Sequence, residues 1–305
     1  MGLYVARRIL LAGVVVLGVA AVVFFSLRLS GDPAALLLPP DATRDDYTNL
    51  RRILGLDQPA PVQYVRFLDR LIHGDLGKSF RYQEPATALV LERLPATGEL
   101  ALATFAIVML IALPVGVASA VFRGSSFDHV ASVLTLAGQS MPNYWFAIML
   151  ILVFAVDLRW FPTSGYGALV HLVLPAIALA AQPASRSVRF IRSEMLEILR
   201  QDYVRTARAK GVRPIQVLVI HALRNAAIPV VTLLGLDVGY LLGGAIVTET
   251  VFGWPGVGRL MVDAVSQRDF PVVQAATIFI ACTVVVVNLF IDVSYVLLDP
   301  RVRLT

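Results

Sequence analysis

Long apolar runs without a charge leave this chain little choice of environment. Ile9 to Leu27, Leu100 to Phe122 and Val130 to Val156 contain no Asp, Glu, Lys or Arg. A helix needs roughly 20 mostly apolar residues to cross the hydrocarbon of a bilayer. Each run meets or approaches that length. Three more segments fit the same description. One starts near Leu169 and loses its apolar character at Arg186. Ala226 to Thr248 carries a single charge, Asp237, and Val272 to Leu298 carries one, Asp292. The pattern predicts an all-α integral membrane protein with six transmembrane helices. Composition agrees: 57% of residues are hydrophobic and 15% charged, against about a quarter charged in soluble domains.

The first run follows Arg7 and Arg8, as a signal peptide would. It exceeds the 7–15 residues of a typical signal core, and Ser26-Leu27-Arg28 is a poor cleavage site. It reads as a retained anchor.

Basic residues in short loops set orientation, because they stay on the cytoplasmic side. Arg7, Arg8, Arg123, a dense group from Arg186 to Arg224, Arg301 and Arg303 all fall on one side of a six-span chain. The opposite short loops carry only Arg159, Arg259 and Arg268. Both termini are therefore expected in the cytoplasm, and the basic clusters suit a membrane face better than a nucleic-acid stripe. Three regions follow: residues 1–27 as the cytoplasmic end and first span, 28–99 as an external insertion, and 100–305 as a five-helix core. Within the insertion, Leu50, Ile53 and Leu54 precede Gly55, and Val65, Leu68 and Ile72 precede Gly74. That spacing predicts two short amphipathic helices, each stopped by a glycine.

Few motifs carry chemistry. Gly77-Lys78-Ser79 looks like the end of a phosphate loop, but position 72 is Ile72 where that motif needs glycine. No ATP site is expected in this chain, nor any resident cofactor or metal. The single cysteine, Cys282, excludes an intrachain disulfide and reads as a small buried hydrophobe. Gly253-Trp254-Pro255-Gly256 reads as a tight external turn with Trp254 near the interface. His171 has no companion at metal spacing and also reads as interfacial.

Residues 193–224, between spans four and five, are basic and contain a short helical pattern. A solvated or lipid-bound face is one reading. A helix docked into a partner is the other. Asp202-Tyr203-Val204-Arg205-Thr206-Ala207-Arg208-Ala209-Lys210-Gly211 resembles the cytoplasmic coupling loop of bacterial ABC importer permeases. There a Glu-Ala-Ala triplet precedes a glycine at a fixed interval. Counting back from Gly211, Ala207 fits the second alanine, while Arg205 and Thr206 replace the first two residues. His221-Ala222-Leu223-Arg224-Asn225, with Pro229 beyond, resembles the dipeptide and oligopeptide branch. So do Gly31-Asp32-Pro33, Leu54-Gly55-Leu56-Asp57-Gln58-Pro59, His73-Gly74-Asp75-Leu76-Gly77, Glu249 to Gly256 and Asp299-Pro300-Arg301. These tags are similar to the B-type permease subunit and cover nearly the whole chain.

The resemblance implies a heterodimeric permease, with a second permease subunit beside this one. It implies two ATP-binding subunits that hold ATP-Mg, an external substrate-binding protein, and a peptide or similar small solute as ligand. It places ATPase coupling at Asp202, Tyr203, Arg205, Ala207, Ala209 and Gly211, and makes this chain a non-catalytic subunit.

Charges inside a span face a cavity or a partner. Asp237 is expected either to face the translocation path and meet a ligand's amino group, or to be hydrogen-bonded within the bundle. Gln139, Ser140 and Asn143 flank Pro142, which breaks a helix; they are candidates to line the path or to serve packing. Asn288 and Asp292 share a helix face and suit interhelical bonding. A secondary transporter or channel without ATPases is the alternative, though it calls for more intramembrane ionisable groups. An intramembrane enzyme would need a nucleophile–base pair or metal ligands at one depth, and no such set is evident.

Overall fold

The computed structural model describes residues 2–30, 32, 34, 38, 42–53 and 55–298. Gly31, Pro33, Leu54, the Asp299-Pro300-Arg301 tag, Arg303 and the side chains of His221, Arg224, Pro229 and Asp292 lie outside that description. The helices are α1 (Gly2–Ser30), α2 (Arg44–Ile53), α3 (Ala60–Ile72), α4 (Ala86–Val121), α5 (Ser126–Ser140) and α6 (Asn143–Leu150). There follow α7 (Leu169–Ile198), α8 (Asp202–Ala209), α9 (Arg224–Val251), α10 (Val257–Ser266) and α11 (Phe270–Leu298). A π-helical turn, Ile151–Asp157, extends α6, and another, Val217–Leu223, leads into α9.

Among the described residues, four helices are long and apolar enough to cross a membrane: Arg7–Leu29 of α1, then α4, α7, and Phe270–Phe290 of α11. The α5–α6 pair makes a fifth if its two arms count as one span. The third apolar run is therefore not one straight helix. Its arms meet at 107°. Met141 is extended (φ −79, ψ 130) and Pro142 caps the second arm. Proline offers no N–H to the preceding turn and pushes the residue before it out of helical conformation. Span four does not stop at Arg186; α7 continues to Ile198.

The chain forms two compact units. The first comprises residues 1–96 and 255–285. Its core gathers Phe24, Phe67, Leu76, Val90, Val257 and Val272. The Phe24 and Phe67 rings stack at 5.4 Å, and the Tyr64 hydroxyl donates to Leu17 O at 3.2 Å. Both expected glycine stops are present. Gly55 (φ 65) and Gly74 (φ 75) take the left-handed conformation that closes a helix cheaply only without a Cβ. At the start of α2, Thr43 and Asp46 exchange side-chain and backbone bonds in a capping box. The Asp269 carboxylate, 2% exposed, accepts from the Ser79 hydroxyl and from Phe80 N–H at 3.1 Å. The Gly-Lys-Ser segment is thus a structural turn held by a distant acid.

The second unit comprises residues 97–254 and 286–305. Its core is rich in small residues, with Ala112, Ala180, Ala184, Ala222 and Ala226 beside Val188, Ile191 and Met195. Small residues let membrane helices approach closely. A Cβ on Gly116 would lie 2.8 Å from Ile191 Cβ, so α4 and α7 need glycine there. Asp128 at the start of α5 takes a bidentate pair from Arg192 of α7, at 2.7 and 2.9 Å. Trp254 is 1% exposed and packed edge-on against Tyr166 at 4.9 Å, so its indole is covered by protein. The turn it occupies is short, because α10 starts at Val257.

Candidate functional site

The break at Pro142 exposes backbone groups that a continuous helix would satisfy, and the surrounding residues supply partners. Gln182 of α7 donates from Nε2 to Met141 O at 2.9 Å. The Tyr240 hydroxyl of α9 donates to Gln182 Oε1 and accepts from Asn143 Nδ2 at 3.2 Å. Gln139, just before the break, accepts at Oε1 from Arg189 Nη1 at 2.7 Å. Non-helical backbone at membrane depth persists only where protein or a water-filled cavity satisfies it. This seam does so with side chains from α7 and α9. Ser140 stands apart from it, since its hydroxyl donates to Leu136 O of its own helix at 2.9 Å.

Asp237 lies in the same region. It is fully buried, accepts from Arg186, and accepts from the Ser187 hydroxyl at 2.9 Å. The Arg186 guanidinium also sits 5.3 Å from the centre of the Tyr240 ring. Of the candidate path residues, Gln139, Asn143 and Asp237 therefore converge on one polar face of α7, where Gln182, Arg186 and Arg189 follow helical spacing. Asn143 Oδ1 and Arg186 Nε are buried with no hydrogen-bond partner among the described residues. Sequence reading missed Gln182, Ser187, Arg189 and Tyr240 as partners. The helical spacing of Gln182, Arg186 and Arg189 was the available signal.

The second cluster is α8. Val204 is its one buried residue; Asp202, Tyr203, Arg205 and Ala209 are exposed and Ala207 is half-buried. Asp202 and Arg205 pair loosely at 3.7 Å, an exposed contact of little energetic weight. Asn225 Nδ2 donates to the Tyr203 hydroxyl at 2.8 Å, tying the helix to the start of α9. Gly211 (φ 74) completes the C-terminal cap, its N–H bonding Arg208 O at 3.0 Å while Val212 N–H bonds Ala207 O at 3.2 Å. That is a Schellman closure, which explains why glycine stands at that interval. Beside α8 lies a cavity of about 520 Å³ lined by Arg123, Ser193, Glu197, Arg200 and Asp202.

Elsewhere, His171 is half-buried with its ring against Gly165. Cys282 is half-buried at the edge of the first unit's core.

A broken span, a neutralised charge pair between the helices beside it and an exposed helix on a single apolar anchor are features of a transporter's membrane subunit. The fold agrees with that class. A chain of the MetNI methionine ABC transporter, in inward-facing conformations, superposes with a TM-score of 0.58 over 69% of this chain and 96% of that one, at 18% identity. Residues 112–304 match the family model of the binding-protein-dependent transport system inner membrane component, and residues 1–101 match its N-terminal companion. The chain belongs to this family of permease subunits.

Among its relatives, the oligopeptide transport system permease protein AppB of Bacillus subtilis (strain 168) is 39% identical over 99% of this chain and 100% of its own length. The di/tripeptide transport system permease protein DppB of Pseudomonas aeruginosa (strain UCBPP-PA14) is 40% identical over 98% of each chain. The glutathione transport system permease protein GsiC of Salmonella paratyphi A (strain ATCC 9150 / SARB42) is 40% identical over 98% of each.

Proposed function

We propose that this chain is one half of the membrane pore of an ATP-driven importer for short peptides or peptide-like solutes. The observation that carries the proposal is α8: a short helix presenting Asp202, Tyr203, Arg205 and Ala209 outward, with only Val204 buried. A helix so exposed has surface to spare for a partner, and full-length relatives named for oligopeptide, di/tripeptide and glutathione transport supply the substrate class. The partners are a second permease subunit, two ATP-binding subunits that hold ATP-Mg, and an external binding protein. The alternative of a secondary transporter or channel is not favoured, since the chain belongs to a binding-protein-dependent family.

In this reading the chain crosses the inner membrane six times. Helix α9 supplies the fifth crossing, both termini are cytoplasmic and residues 28–99 face outward. Closure of the ATPases moves α8, and α9 moves with it through the Tyr203–Asn225 bond. The solute path follows the seam of Gln139, Asn143 and Asp237 and passes Ser140 beside it. The Asp237 carboxylate meets a peptide's amino group only when Arg186 swings away; until then it orients Arg186.

The test is peptide uptake into proteoliposomes holding the complete complex. Uptake that needs both ATP and the binding protein is the expected result. Uptake by this chain alone, without ATP, contradicts the proposal.

A further inference from the structure

The first unit contains a cavity of about 340 Å³, and none of its lining residues belongs to the proposed solute path. Its lining includes the apolar side chains of Phe24, Leu27 and Phe270 and the cations Arg28, Arg70 and Lys78. No ion pair joins any of these three cations to an acid among the described residues. The Arg28 guanidinium instead stands 4.9 Å from the centre of the Phe24 ring. The nearby acid is committed elsewhere. Asp32 takes Tyr47 hydroxyl at 2.6 Å, Ala34 N–H at 2.9 Å and Arg51 at 3.5 Å. Partial burial pushes the Asp32 carboxyl up, but these hydrogen bonds, Arg51 and the more distant charge of Arg28 hold it below the usual carboxylate range. It stays an anion already surrounded by its own donors.

The cavity's depth in the membrane follows from the helices that form it. Arg28 lies in the last turn of α1, at the end of the first span, and Phe270 opens α11, at the start of the last. Of the four straight spans among the described residues, α1 is the least buried, with 11% of its apolar stretch inside the protein. A cleft at this level receives apolar chain from the hydrocarbon side and a charged group from the headgroup side. Three cations and three apolar side chains in one cavity match an amphiphile carrying a phosphate.

We propose that this cavity binds the headgroup of an anionic phospholipid, its phosphate held by Arg28, Arg70 and Lys78 and the top of its acyl chain against Phe24, Leu27 and Phe270. The lipid joins α1 to α3, where Arg28 and Arg70 would otherwise repel one another, and rests on Phe270 of α11. A free phosphate would satisfy the cations but not the apolar wall.

The test uses the full chain in its purified complex, in nanodiscs of phosphatidylcholine with added phosphatidylglycerol. Native mass spectrometry of the released complex counts retained phosphatidylglycerol, with the double variant R28Q/R70Q beside wild type and R52Q as a control away from the cavity. Retention is expected in wild type and R52Q, with affinity roughly thirtyfold weaker in the double variant. A photoactivatable phosphatidylglycerol, applied to wild type alone, should label peptides containing Leu27 or Phe270. Three results each overturn the proposal: equal retention in the double variant, displacement by inorganic phosphate at matched concentration, or labelling confined to other segments. A double variant that keeps its lipid but loses stimulation by the binding protein would assign the cations to protein docking instead.

Discussion

Asp237 has no exposed surface, and α7 occupies its carboxylate from two consecutive positions: Arg186 donates to Oδ1, and Ser187 donates to Oδ2 at 2.9 Å. The arrangement turns two residues that are costly alone in a membrane into one neutral unit. Removing the acid leaves Arg186 half-buried without its counter-charge. D237A should destabilise the chain by about 3 kcal/mol, read as a lower melting temperature in detergent. The neutral pair D237N/R186Q should recover most of the loss. If D237N alone assembles and transports like wild type, Asp237 has no part in meeting the ligand.

Gln182 bridges the break, since it donates to Met141 O and accepts from Tyr240. Q182L keeps the volume but strands a carbonyl and a hydroxyl. The expected cost is about 1–3 kcal/mol, with transport falling more than assembly because the seam lines the proposed path. Uptake and complex yield measured side by side separate the two effects.

Gly211 has open space around its Cβ position but a φ of 74. G211A therefore meets no neighbour and is strained by conformation alone, at about 1–2 kcal/mol. Hydrogen exchange should show faster opening of α8 with the rest of the chain unchanged. A large effect on the whole protein would mean that Gly211 packs against something the cap geometry does not include.

Gly116 is the opposite case. Its Cβ position lies 2.8 Å from Ile191 Cβ and 3.0 Å from Val188 O. G116V should force α4 from α7 and cost about 1–3 kcal/mol, and the double variant G116A/I191A should be milder than G116V. Thermal unfolding of both in the same detergent checks the order.

Much of this was legible in the sequence where the cause is local. Gly55 and Gly74 stop their helices because the left-handed conformation is encoded residue by residue, and Pro142 breaks its run because proline lacks a donor. Partnerships across long separations were not legible. Arg186 marked where span four loses its apolar character and Asp237 was open to a ligand or a bundle role; that the two meet, 51 positions apart, was not visible. Trp254 had the surroundings of an interfacial aromatic, yet Tyr166 covers it from a loop far away in sequence. Helix α10 was hidden by the Gly-Trp-Pro-Gly run before it, although Val257, Leu260 and Ala264 carry a buried face at helical spacing.

The central claim is that α8 is the contact through which ATP hydrolysis is coupled to this chain. Ala209 is exposed and lies outside the cap's hydrogen bonds, so A209R alters the surface without straining the fold. The decisive measurement is the ATPase activity of the reconstituted complex, wild type against A209R, in the presence of the binding protein and peptide. The account predicts stimulated hydrolysis in wild type and its loss in A209R, with the variant chain still folded. Undiminished stimulation in A209R, or a wild-type chain that binds no ATPase and moves solute unaided, would contradict it.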